Sequence, residues 1–249
     1  MEKSTRAADL QSAQKSKREH ETENVSASAK KTKSNYAVDH TVTDMRKIIE
    51  FMSLVGELKR VPRTGWVRNE VKEPESVSDH MYRMAVMSML ITPQESLDRN
   101  RCIKIALVHD MAECIVGDLT PWCGVPKEEK HKLEEAAMKR LSGLVSEETG
   151  KELFELWEEY EYQKSDEARF VKDLDRFEMI LQAYEYEKQQ KGNKGLQEFF
   201  ESTKGKFKHP TVQSWVEGLH QVRNESAETS EQNSPSNNEL KEDKVQESS

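Results

Sequence analysis

Residues 107–119 read LVHDMAECIVGDL, and the fold and the chemistry turn on how this stretch is interpreted. It is apolar enough for burial, yet it carries His109, Asp110, Glu113 and Asp118. Taking an unpaired carboxylate out of water is strongly unfavourable, and neighbouring carboxylates repel one another besides. Three adjacent ionisable groups in an apolar helix need one shared compensation, and a bound cation is the simplest. Four residues apart, His109 and Glu113 share a helix face; Asp110 stands about 100° round from His109. Gly117 is a natural helix terminator, and Asp118 just beyond it can fold back toward the same side.

The pattern around this stretch is helical throughout. Residues 99–115 read as one helix, apolar nearly all round and therefore central to the core. Residues 41–59 place Met45, Ile48, Ile49, Met52 and Val55 on one face. Two prolines and a glycine make 60–75 a long irregular loop. Ser76 and Asp79 stand in capping-box spacing and open a helix that runs to about Ile91, with Pro93 ending it. Pro126 opens a charged amphipathic helix. Another covers 147–162 with Leu153, Leu156, Trp157 and Tyr160 inward, a long one spans about 165–190, and 195–220 supplies one or two short ones. No strand and no repeat is evident. The expected fold class is all-α, a multi-helix domain.

Composition bounds the rest. Only 35% of the 249 residues are apolar and mean hydropathy is −0.89, but the polarity is uneven. Residues 1–36 and 221–249 lack the apolar side chains to offset ordering entropy, so both are expected to be disordered tails, leaving one domain over 37–220. Net charge is −8; the C-terminal tail sets Arg223, Lys241 and Lys244 against seven acidic residues. No broad basic face is visible, which argues against a nucleic-acid partner. Three cysteines without metal-type spacing suggest a reducing compartment. No segment reads as a membrane span or secretory signal. The expectation is a soluble cytoplasmic chain, with access to the nucleus left open.

Two further residues belong with His109 and Asp110. His80 lies on an apolar helix side, and Asp175 interrupts the long helix between Leu174 and Phe177. Singly, each has a bland explanation: a hydrogen-bonded core histidine, and a salt-bridge partner for Lys172 or Arg176. The methionines at 81, 84, 87 and 89 are core filler. Taken together, imidazole nitrogens and carboxylate oxygens without thiolates suit a divalent cation and argue against a structural zinc site.

This ordered set, an isolated His, a His-Asp pair and a distant Asp on helices, resembles the HD-domain metal-dependent phosphohydrolases. SVSDHMYRMA (76–85), LVHDMAECIVGDL, PKEEKH (126–131), LWEEYE (156–161) and KDLDRFEMILQA (172–183) narrow the resemblance. They are closely similar to the HD-domain 5′-deoxynucleotidases, in particular their eukaryotic HD domain-containing protein 2 branch, over about residues 45–215. The resemblance implies an HD-domain fold and a homodimer. It implies hydrolysis of 2′-deoxyribonucleoside 5′-monophosphates with Mn²⁺, Co²⁺ or Mg²⁺, one or two ions per site. It makes His80, His109, Asp110 and Asp175 ligands of the first ion. Glu113 and Asp118 become catalytic acids and, with the Leu119 carbonyl, ligands of a second ion. Trp66 falls where bacterial relatives have a tryptophan that selects against a ribose 2′-hydroxyl.

Several alternatives stay open at this point. Glu113 or Asp118 is the general base, but if both are ligands neither is free to act as one. Trp66 either walls the sugar or packs its loop on the core, and Arg63 and Arg68 either touch phosphate or are merely solvated. Two other functions remain: an HD phosphohydrolase for a cyclic nucleotide, an alarmone or a triphosphate, or a helical interaction module with a structural metal.

Overall fold

A computed structural model of the chain describes residues 45–189 and 196–232. The expected N-terminal tail, and residues 233–249 of the expected C-terminal one, lie outside the described residues. The described backbone forms ten α-helices: α1 (Met45–Glu57), α2 (Thr64–Arg68), α3 (Val77–Ser88), α4 (Arg99–Val108), α5 (Glu113–Val116), α6 (Lys127–Ser142), α7 (Glu147–Glu161), α8 (Asp166–Gln189), α9 (Gln197–Thr203) and α10 (Pro210–Gln232). No strand occurs among these residues, only an isolated antiparallel bridge between Pro62 and Ser76.

Local chemistry explains the helix starts. Ser76 Oγ accepts from the Asp79 N–H and the Asp79 carboxylate accepts from the Ser76 N–H, the reciprocal cap read from the sequence. Asp98 and Ser146 cap α4 and α7 in the same way, each accepting from the N–H three residues on. Pro126 precedes α6, which carries Glu128 and Glu129 in its first turn and Lys139 and Arg140 in its last, the arrangement its dipole favours.

The core lies where α4 packs on α3, α7 and α8. Met84, Cys102, Ile105, Val171, Leu174 and Ile180 are fully buried there. At the turn from α6 into α7, Gly150 comes so close to the Ser142 carbonyl that a Cβ would sit 2.3 Å from its oxygen, so no other residue fits.

The structure departs from the sequence expectations in four places. The apolar stripe of α1 is largely exposed at Met45, Ile49 and Met52, while Phe51, Leu54 and Val55 pack on the core. The loop at 60–75 holds the short helix α2. The helix expected over 99–115 breaks at 109–112, where Met111 and Glu113 donate to the carbonyls three residues back, Val108 and Asp110. This tighter winding eclipses i and i+3, so Asp110 and Glu113 line up.

The fourth departure concerns the helix expected to end near 220. In place of a short helix, α10 runs to Gln232. Arg223 pairs with Glu187 at 2.7 Å, bonds to Gln197 and lies 3.8 Å from the centre of the Phe200 ring. Tyr184 Oη meets Ser226 Oγ at 3.1 Å. One arginine on a ring and a carboxylate does the anchoring that counting aliphatic residues does not detect.

Candidate metal centre and active site

Two core helices and the tight turn after α4 converge at one point. His80 comes from α3, Asp175 from α8, and His109 and Asp110 from the turn. His80 Nε2 lies 3.4 Å from Asp175 Oδ1 and 3.9 Å from Asp110 Oδ2, and His109 Nε2 lies 3.1 Å from the same Asp110 oxygen. One ligand atom from each of His80, His109 and Asp110 falls within 4.8 Å of the others. All four residues of the expected first-ion set are therefore brought together.

The tautomers follow from the partners. His80 Nδ1 is 2.5 Å from Glu178 Oε2, and His109 Nδ1 is 2.9 Å from the Ala106 carbonyl. Each Nδ1–H is thus a donor, and each Nε2 points into the cluster. Both Nε2 atoms, and Glu113 Oε2, are buried without any hydrogen-bond partner. Buried polar atoms are almost always paired, so three orphaned ligand atoms beside Asp110 and Asp175 fit a cation as their missing partner.

Charge around the cluster is strongly coupled. Burial and Arg63 push the His80 pKa down, but Glu178 and Asp175 outweigh them and lift it to about 9. Burial works against ionising Asp110, yet His109, Arg63 and His80 hold it well below the usual carboxylate range. Lys172, His80 and His109 do the same for Asp175 against its own burial. Glu113 goes the other way: burial, then the charges of Asp110 and Asp118, push it well up. A cation would relieve that strain directly.

The loop ahead of α3 forms one wall. Arg63 Nη1 stands 3.5 Å from Asp110 Oδ2. The Thr64 N–H donates to Asp118 Oδ2 at 2.6 Å and Thr64 Oγ1 donates to the Asp118 carbonyl at 2.7 Å. Gly117, at φ +76, makes the reversal that returns Asp118 to this position. Leu119 directs its carbonyl to Lys130 Nζ at 2.7 Å.

Trp66 does not present a face to this site. It is 1% exposed, its ring packed against Tyr186 and Phe199 and its Nε1 donating to Glu75 at 2.9 Å. Of the two sequence readings, the geometry fits loop-to-core packing. Arg68 pairs with Glu198 and lies over the Trp122 ring, with no contact to the cluster.

The sequence reading missed the supporting shell. Glu178 orients His80, and Arg83 clamps Glu178 while also reaching Glu185 and Gln182. Burial and the Glu178 charge lift neighbouring Glu75 to about 7. Tyr160 Oη and Lys172 Nζ both donate to Asp175, at 2.7 and 2.8 Å. A legible signal existed: Glu178 and Arg83 each follow a member of the expected first-ion set, Asp175 and His80, by three residues on the same helix face.

Comparison with known proteins agrees with this geometry. The HD domain family matches residues 55–215. The 5′-deoxynucleotidase HDDC2 of Bos taurus is 59% identical over 179 residues, covering 72% of this chain and 87% of that one. The solved HD domain-containing protein YGK1 of Saccharomyces cerevisiae superposes with a TM-score of 0.57 at 35% identity, over 72% of this chain and 86% of its own. The crystal structure of PH0347 from Pyrococcus horikoshii gives 0.57 at 32% identity, over 71% and 98%. The chain belongs to the HD domain family.

Proposed function

We propose that this chain is a metal-dependent 5′-deoxynucleotidase, converting 2′-deoxyribonucleoside 5′-monophosphates to deoxynucleosides and phosphate. The observation that carries the reading is the pair of buried, unpartnered Nε2 atoms of His80 and His109 facing Asp110 and Asp175. The name of the cattle relative supports the substrate class.

A divalent cation at His80, His109, Asp110 and Asp175, drawn from Mn²⁺, Co²⁺ and Mg²⁺, would polarise a phosphoryl oxygen and acidify a water. Arg63, already beside Asp110, binds the phosphate and offsets charge developing on it. Glu113 takes the proton of the attacking water, since its Oε2 is free while Asp118 Oδ2 is held by Thr64. Asp118 positions the loop. The water oxygen bonds to phosphorus, the bond from phosphorus to the 5′-oxygen breaks, and that oxygen leaves as the sugar hydroxyl with the proton Glu113 took from the water.

The protein is proposed to work as a homodimer in the cytoplasm. The exposed apolar residues of α1 offer a surface that pairing would cover. Among the described residues no helix is long and apolar enough to cross a membrane.

Phosphate release from a panel of deoxynucleoside and ribonucleoside monophosphates, cyclic nucleotides, an alarmone and triphosphates, alongside metal analysis, tests the reading. Deoxynucleoside monophosphates should be turned over fastest, and Asp110→Asn should lose both bound metal and turnover while keeping its helicity. Full activity with normal metal content in that variant would overturn the assignment.

A further inference from the structure

The resemblance gives a second cation three ligands, Glu113, Asp118 and the Leu119 carbonyl, and the protein already engages one oxygen of Asp118 and the Leu119 carbonyl itself. The Thr64 N–H occupies Asp118 Oδ2. The Leu119 carbonyl accepts from the ammonium of Lys130, in the first turn of α6, which also lies 3.3 Å from the buried Glu134 carboxylate one turn on. Of the three, only Glu113 retains a buried, unpartnered oxygen. Lys130 is one of two cations at hand, with Arg63: both act on Glu113, and Glu113 and Asp110 act on Lys130 in turn.

We propose that the Lys130 ammonium is a tethered competitor for the second cation, so that the chain holds one divalent ion tightly and admits a second only by lifting Lys130 off the Leu119 carbonyl. An ammonium and a divalent ion bound to one carbonyl oxygen would stand a few ångströms apart, and their repulsion forbids joint occupancy. Lys130 is well placed to yield, because Glu134, at i+4 on the same helix, keeps its charge paired after it withdraws. The arrangement leaves the Glu113–Asp118 pair with a positive charge at hand at every metal concentration. It makes the number of bound ions depend on free metal rather than on a preformed second cage.

This inference rests on the metal reading of the His80–His109–Asp110–Asp175 cluster, and the test separates the two. Metal-free full-length protein is titrated with Mn²⁺ by calorimetry, as wild type, Lys130→Met, Lys130→Ala and Lys132→Met, with circular dichroism confirming each fold. Wild type should show one tight step and one at least a hundred-fold weaker. Both Lys130 variants should tighten the second step ten-fold or more and leave the first within two-fold. Lys132→Met removes the same formal charge from an exposed position two residues on and should change neither step. A second step that is unchanged or weaker in the Lys130 variants overturns the proposal, and so does equal tightening in Lys132→Met. Absence of any Mn²⁺ binding in wild type would overturn the metal reading as well.

Discussion

Nδ1 of His80 lies 2.5 Å from Oε2 of Glu178, and neither residue has any solvent exposure. Arg83 holds the other Glu178 oxygen, so the imidazole is fixed by a carboxylate that is itself fixed. The consequence is an Nε2 aimed at Asp110 and Asp175 before any ion arrives, its lone pair available to a cation that displaces the proton. Replacing Glu178 with Gln weakens the acceptor and lets the ring choose its tautomer. Metal affinity, measured by calorimetry, should fall about 10–100-fold. Unchanged affinity would make the pair purely structural.

Acidity gives a second prediction. His80 is raised to about 9 from 6.5, so its protonation stabilises the metal-free fold fully below pH 6.5, and that stability is lost as pH rises through 9. Glu75, raised to about 7 from 4.5, contributes in the same direction between pH 4.5 and 7. The metal-free melting temperature should therefore fall from about pH 5 to pH 9. Saturating divalent cation should reverse the fall, because it needs the neutral imidazole and replaces the proton. Melting curves across that range with and without cation decide it. Stabilisation by metal that is constant with pH would remove His80 from the ligand set.

Trp66 supplies a third. Its ring fills the space between Tyr186 and Phe199, so Trp66→Ala should cost about 3–5 kcal/mol of stability. Trp66→Phe keeps most of that contact and loses only the bond to Glu75. Its ratio of kcat/KM for dAMP over AMP should match wild type. A ratio that narrows would show that the indole reaches the sugar through a movement of its loop.

The length of α10 supplies the fourth. A chain ending at 220 loses Arg223, hence the Glu187 pair and the Phe200 contact. Charge-assisted bonds of this kind are worth about 1.5–3 kcal/mol, and in a domain of this size each kcal/mol moves the melting temperature by about 2–4 °C. A chain ending at 232 should melt like the full protein, while one ending at 220 should melt several degrees lower. Equal melting of the two would show that the last turns of α10 only rest on the domain.

What was legible in the sequence was whatever depends on neighbours along the chain. The Ser76–Asp79 cap, the helix opened by Pro126 and the inward face of α7 follow from spacing within a turn or two. The cluster at His109 and Asp110 was legible because charge inside an apolar run is locally anomalous. Contacts between distant elements were not. The Glu178–His80 pair spans 98 residues and the Thr64–Asp118 bond spans 54. The apolar stripe of α1 was visible as a stripe, but periodicity gives a face and not what lies opposite it. The break at 109–112 hid because its side chains suit a regular helix equally well.

His80 is fully enclosed and His109 nearly so, whereas the side chains of Asp110 and Asp175 keep 20% and 18% of their surface open. An ion arriving from solvent would therefore meet carboxylates first and imidazoles last. Those carboxylates are already paired, Asp110 with Arg63 and Asp175 with Lys172, so entry would be a contest with resident cations. Entry and retention would then be separate events along one path, the first set by how readily Arg63 and Lys172 give way and the second by how firmly Glu178 and Ala106 aim the rings.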